Sequence, residues 1–133
     1  MATINGEDYA VEILGKAGIS ELVITDDGRT SFKIDKNRFF YHVTMTEEDD
    51  LVIQFSSVIC EGLKPSEKLF KGIAMKQPLF ASVGLNENHD GTYDLVIGTD
   101  LIIGWNIDED VTIISYVLRS MNIQVKDLAK KWK

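Results

Sequence analysis

The sequence predicts an α+β fold. It should be an antiparallel sheet of about five to six strands, with an N-terminal helix, a short middle helix and a C-terminal helix. Three observations carry this. Apolar residues recur at helical spacing near both ends of the chain. Between them, β-branched and aromatic runs alternate with polar links of two to six residues, too short for parallel crossovers. The chain has 133 residues, enough to bury a core, and no linker or repeat divides it. One domain over residues 1–133 is the economical reading.

The first helix should be capped by Asn5, with Glu7 and Asp8 in its first turn, where the macrodipole favours acids. Ala10, Ile13, Leu14 and Ala17 form its stripe, and Gly18 is a natural stop. Glu21–Thr25 is a short apolar run. Asp26-Asp27-Gly28 reads as a tight turn, with Gly28 supplying positive φ. Strands follow over Arg29–Asp35, Arg38–Met45 and Leu51–Val58, linked by Lys36-Asn37 and by the polar Thr46–Asp50. Pro65 suits the first turn of a short helix carrying Leu69, Phe70 and Ile73; Gly72 weakens that helix and Pro78 ends it. Leu79–Leu85 and Thr92–Ile97 read as a hairpin around Asn86–Gly91. Beyond a kink at Gly98, Leu101–Trp105 reads as further extended chain. The last helix starts on Asp108, Glu109 and Asp110 and carries Val111, Ile114, Leu118 and Met121. Asn122 should break it before a final segment with Val125, Leu128, Ala129 and Trp132.

The composition is that of an ordinary globular chain, 44% hydrophobic and 26% charged. A net charge of −7 repels phosphate backbones, so nucleic acid is not the expected partner. The lone Cys60 permits no internal disulfide and fits a reducing compartment; it reads as a small buried hydrophobe. The first residues lack the basic and apolar regions of a secretory leader, and no apolar run is long enough to span a membrane. The expected location is the cytoplasm.

Alternation assigns the strand residues to two faces. Phe39, Tyr41, Val43 and Met45 share one face with Leu51, Ile53 and Phe55, and this face should be the core under the terminal helices. Phe40, Val52, Val58, Phe80, Val96 and Ile102 fall on the other, mixed with His42, Thr44, Gln54 and Ser56. A solvated sheet face is normally cleaner than this, and contiguous apolar patches mark binding sites. These six are the candidate protein-binding residues. The competing reading places the middle helix over them.

No catalytic constellation stands out. Asn86, Asn88, Asp90 and Gly91 imitate the start of a calcium loop, but Ile97 stands where the closing bidentate glutamate belongs. His42, His89 and Cys60 lack metal-ligand spacing, and no nucleophile elbow or phosphate loop is present. Neither a metal nor a cofactor is expected. Glu47–Asp50 reads as a solvated turn, and Trp105 and Trp132 as packing anchors.

Some residue patterns resemble a known family. They are Ile13–Ile19, Ser31–Asp35 with the aromatic strand after it, Gly91–Ile97 leading into Asp108-Glu109-Asp110, and Trp132. Together they resemble the type III secretion chaperone-like fold, shared by Tir-chaperone-type secretion chaperones and by the YbjN-like domains described as sensory transduction regulators. The resemblance implies no enzyme activity and a homodimer. In the chaperone group it also implies exposed apolar patches that hold an extended partner. The expected function is a noncatalytic protein-binding module. A small enzyme or ligand-binding domain with a hidden pocket, or a structural subunit of a larger assembly, is the alternative.

Overall fold

The computed structural model describes residues 6–19, 21–75 and 81–132. Asn5, Pro78, Leu79 and Phe80 lie outside them. Three helices and six strands run in the order α1 (Gly6–Lys16), β1 (Val23–Ile24), β2 (Thr30–Ile34), β3 (Asn37–Met45), β4 (Leu51–Leu63), α2 (Glu67–Met75), β5 (Ser82–Glu87), β6 (Tyr93–Ile103) and α3 (Ile107–Trp132). The sheet is antiparallel throughout, in the order β1-β2-β3-β4-β6-β5.

Period-two alternation builds the core. Phe39, Tyr41, Leu51, Ile53, Phe55, Leu95 and Ile97 are buried on one face of the sheet. The buried stripes of α1 (Tyr9, Ala10, Ile13, Leu14) and α3 (Ile114, Val117, Leu118, Met121, Val125) pack into the same cluster. Phe32 lies at its centre, stacked on Phe39 and edge-on to Phe55. Each fully buried large side chain contributes about 1.5–3 kcal/mol over its exposed state. Met45 shares this face by register but is 51% exposed, although its partner Leu51 is fully buried.

Three elements differ from the sequence expectation. Strand β4 continues five residues beyond Val58. Two register shifts against β6 fall between Val58 and Leu63, and Gly62 adopts φ +67° there. These bulges bury the adjacent residues Ile59 and Cys60 together, which erases the alternation that signals a strand. Strand β6 runs unbroken through Gly98 instead of kinking. Helix α3 runs unbroken through Asn122. The Asn122 amide is buried, donating to Asp35 Oδ2 (2.9 Å) and accepting from Asn37 Nδ2 (2.8 Å), and Lys126 reaches the same Asp35 carboxylate. The polar residue that reads as a breaker ties α3 to the β2–β3 turn, where Asp35 sits at φ +57°.

Helix α2 lies on the helix side of the sheet. Leu69 and Ile73 join the core, and Phe70 packs edge-on to Tyr93. Gly72 explains itself here: a Cβ at this position would stand 2.7 Å from the Trp132 ring, so the glycine admits the end of α3. Trp132 Nε1 is buried with no hydrogen-bond partner among the described residues.

The joint between β6, α1 and α3 is built on Asp110, only 4% exposed. Its Oδ2 accepts the Tyr9 hydroxyl at 2.5 Å and its Oδ1 accepts the Gly104 N–H at 3.1 Å. Tyr9 also packs against Trp105, which holds φ +64° in the turn. Burial, then the Asp110 carboxylate, raises the Tyr9 phenol well above its ordinary range, so it stays a neutral donor. Asn106 caps α3 through the Glu109 N–H.

Two predictions follow from these ties. Tyr9→Phe leaves a buried carboxylate short of a donor and should destabilise the fold by about 1.5–3 kcal/mol, read as a lower urea midpoint with an unchanged m-value. The hydrogen bond from Lys126, then that from Asn122, holds the Asp35 carboxyl below its ordinary range. A depressed carboxylate stabilises the fold above its unfolded pKa, and that stability is lost as pH falls through the folded value. Asp35→Asn should therefore lower the urea midpoint at pH 7, and its gap from wild type should close as pH falls below the ordinary carboxylate range.

Candidate functional site

The face of the sheet turned away from the helices is a lattice of side chains fixed by strand register. One row across it reads Ser31, Phe40, Ser56, Gly98, Ser82. The next row towards the end of β3 reads His42, Gln54, Asp100, and the one beyond it Thr44, Val52, Ile102. On the other side of the serine row lie Val58, Val96 and Gly84. The register thus brings Phe40, Val52, Val58, Val96 and Ile102 onto one face, as alternation predicts. Phe80 lies outside the described residues.

These five side chains do not form one continuous patch. Ile102 is 71% exposed and Val58 39%, while Phe40, Val52 and Val96 are half-buried. The Arg29 guanidinium sits 4.0 Å over the Phe40 ring and is itself paired with Asp27. Arg38 donates to Ser31 Oγ at 2.5 Å, covering the β2 end of the serine row. The polar row of His42, Gln54 and Asp100 separates Val58 and Val96 from Val52 and Ile102. Helix α2 does not bridge them, because it packs on the opposite side of the sheet.

A groove of about 1150 Å³ lies over this face. Its floor is the small-residue row Ser56, Gly98 and Ser82. Val58 and Val96 stand on one side of that floor, Gln54 and Asp100 on the other, and Phe40 lies at the β3 end. Val52 and Ile102 stand one row outside it. Sequence reasoning placed Ser56 on this face but missed the rest of the floor, Gly98 and Ser82. Gly98 is two residues from Val96 and shares its face, but a glycine inside an apolar run reads as an interruption. A Cβ at Gly98 would meet the Phe55 carbonyl at 3.4 Å, an ordinary van der Waals contact, so the strand geometry does not demand the glycine. Tyr41, which also borders the groove, is held above the ordinary phenol range by burial and then by the Glu7 carboxylate, against a lowering hydrogen bond with Thr30. It is a neutral hydroxyl at physiological pH rather than a base.

The remaining candidates are dispersed. Cys60 is buried on the core side, His89 is exposed in the β5–β6 turn, and His42 is exposed on the open face. The segment that imitates a calcium loop is a self-bonded hairpin turn. Asn88 donates to Thr92 Oγ1 and Asp94 Oδ1, and Asp90 Oδ1 accepts from the Thr92 N–H and hydroxyl. No group of three or more metal-binding side chains converges among the described residues. No described helix is long and apolar enough to cross a membrane.

No protein-family model and no curated protein sequence matches the chain. A solved structure does: YbjN from E. coli, described as "a putative transcription regulator". It aligns over 94% of this chain and 92% of its own, with a TM-score of 0.57 at 11% sequence identity. At that identity the likeness speaks for architecture alone. The chain has a YbjN-like α+β fold.

Proposed function

We propose that this protein is a noncatalytic protein-binding module of the cytoplasm, regulatory or chaperone-like, that works as a homodimer. The observation that carries the reading is the open sheet face, where Val58, Val96 and Phe40 border a groove that no described helix covers. A groove with small residues along its floor and apolar side chains beside it suits an inserted segment of a protein partner. The fold likeness to a protein described as a transcription regulator supports the regulatory half. The net charge of −7 favours regulation through protein contact over direct contact with a phosphate backbone.

The row of His42, Gln54 and Asp100 favours a second reading, a binding site for a small polar ligand, since the groove is large enough for one.

Val58→Glu and Ile102→Glu separate the readings. Both positions are exposed, so thermal stability should change by less than about 1 kcal/mol. If the face binds protein, wild-type chain used as bait in extract of its host should retain a partner that Val58→Glu loses, with Ile102→Glu weaker in effect because Ile102 stands outside the groove. Equal capture by all three chains would refute the protein-binding reading. Binding of a small polar compound that depends on His42 and Asp100, with no protein retained, would establish the second.

A further inference from the structure

The open face carries two glycines that the backbone does not require. Gly84 and Gly98 lie inside strands, and neither holds a positive φ. A Cβ at Gly84 would meet nothing within 4 Å, and one at Gly98 only the Phe55 carbonyl at 3.4 Å. Glycine weakens a strand interior, and it marks places where a ligand or another backbone comes close. What these two positions give in return is open space along the groove.

The dimensions of that space fit an extended chain. Ser56, Gly98 and Ser82 sit on three neighbouring strands, so the floor is about 10 Å long. That length matches about three residues of extended chain laid across the strands. Val58 and Val96 stand two residues to one side of the floor, and Gln54 and Asp100 two residues to the other. The walls are therefore about 13 Å apart. A segment lying between them sends alternate side chains to opposite walls, one apolar and one polar. Its backbone passes over the Ser56 and Ser82 hydroxyls, which have no hydrogen-bond partner among the described residues.

Charge decides what the polar wall takes. The carboxylates and guanidinium that line the groove belong to Glu7, Arg29 and Asp100. Arg29 is engaged by Asp27 and by the Phe40 ring. Asp100 is exposed, and its carboxylate has no hydrogen-bond or ion-pair partner among the described residues. The charge left for an occupant is negative, and the net charge of −7 reinforces it at long range.

We infer that the groove takes an extended segment of a partner protein in which apolar and basic side chains alternate. Its backbone lies over Gly98, its apolar side chains rest against Val58 and Val96, and a basic side chain meets Asp100. The inference rests on the protein-binding reading of the open face and names the partner's chemistry.

An NMR titration of the full chain with two capped hexapeptides tests it, one alternating valine with lysine and the other valine with glutamate. The lysine peptide should shift the amide resonances of Ser56, Gly98 and Ser82, and should bind at least about tenfold more tightly than the glutamate peptide. Asp100→Lys should reverse that preference. Should that variant fail to fold, Asp100→Asn decides, because it should bind the two peptides equally. Gly98→Val should keep the fold, since its Cβ has room and β-branched residues suit strands, yet lose the lysine peptide because the floor is filled. Equal binding of both peptides by wild type would overturn the inference, and so would a Gly98→Val chain that binds as wild type does. Groove resonances that move with protein concentration alone would assign the groove to a second copy and overturn it as well. A host protein that wild type captures and Val58→Glu loses, with no response to the lysine peptide, would overturn the inference and leave the protein-binding reading standing. Absence of both capture and peptide binding would overturn both.

Discussion

The arrangement of the molecule depends on one buried carboxylate. Asp110 accepts from Tyr9 on α1 and from the Gly104 N–H at the end of β6, and it belongs to the first turn of α3. Three elements distant in sequence are thereby fixed relative to one another at one corner of the sheet. A carboxylate this deeply buried is tolerable only while its oxygens are hydrogen-bonded, so the joint has little freedom to open partway. At the other end of the sheet, Asn122 and Lys126 hold α3 to the β2–β3 turn through Asp35. Between these two ties the long helix has one path across the sheet, and its buried stripe must face Phe55, Leu95 and Ile97.

The open face follows from that placement. All three helices go to one side, so residues that alternate with the core are left on the other. The chain manages most of that face with polar or small side chains, Arg29 over Phe40 and Arg38 over Ser31 among them. It leaves Val58 and Val96 beside a floor of Ser56, Gly98 and Ser82. A sheet that needed only to be solvated would put polar residues where the valines are. A sheet that needed a sealed second core would not line its centre with serine and glycine.

Much of this was legible in the sequence because most of the strands obey a strict period of two. Phe39, Tyr41, Ile53 and Phe55 declare the core, and Phe40, Val52 and Val58 declare the other face. The failures share a cause, which is that local signals were overridden by contacts distant in sequence. Asn122 has poor helix propensity, but its amide is consumed by Asp35 and Asn37 across the fold. Gly72 weakens a helix in isolation, but here it admits Trp132. The bulges that extend β4 put Ile59 and Cys60 into the core together, and no periodicity filter recovers that. Asp110 read as one of three acids suited to the macrodipole. Its separate role depends on Tyr9, a hundred and one residues away.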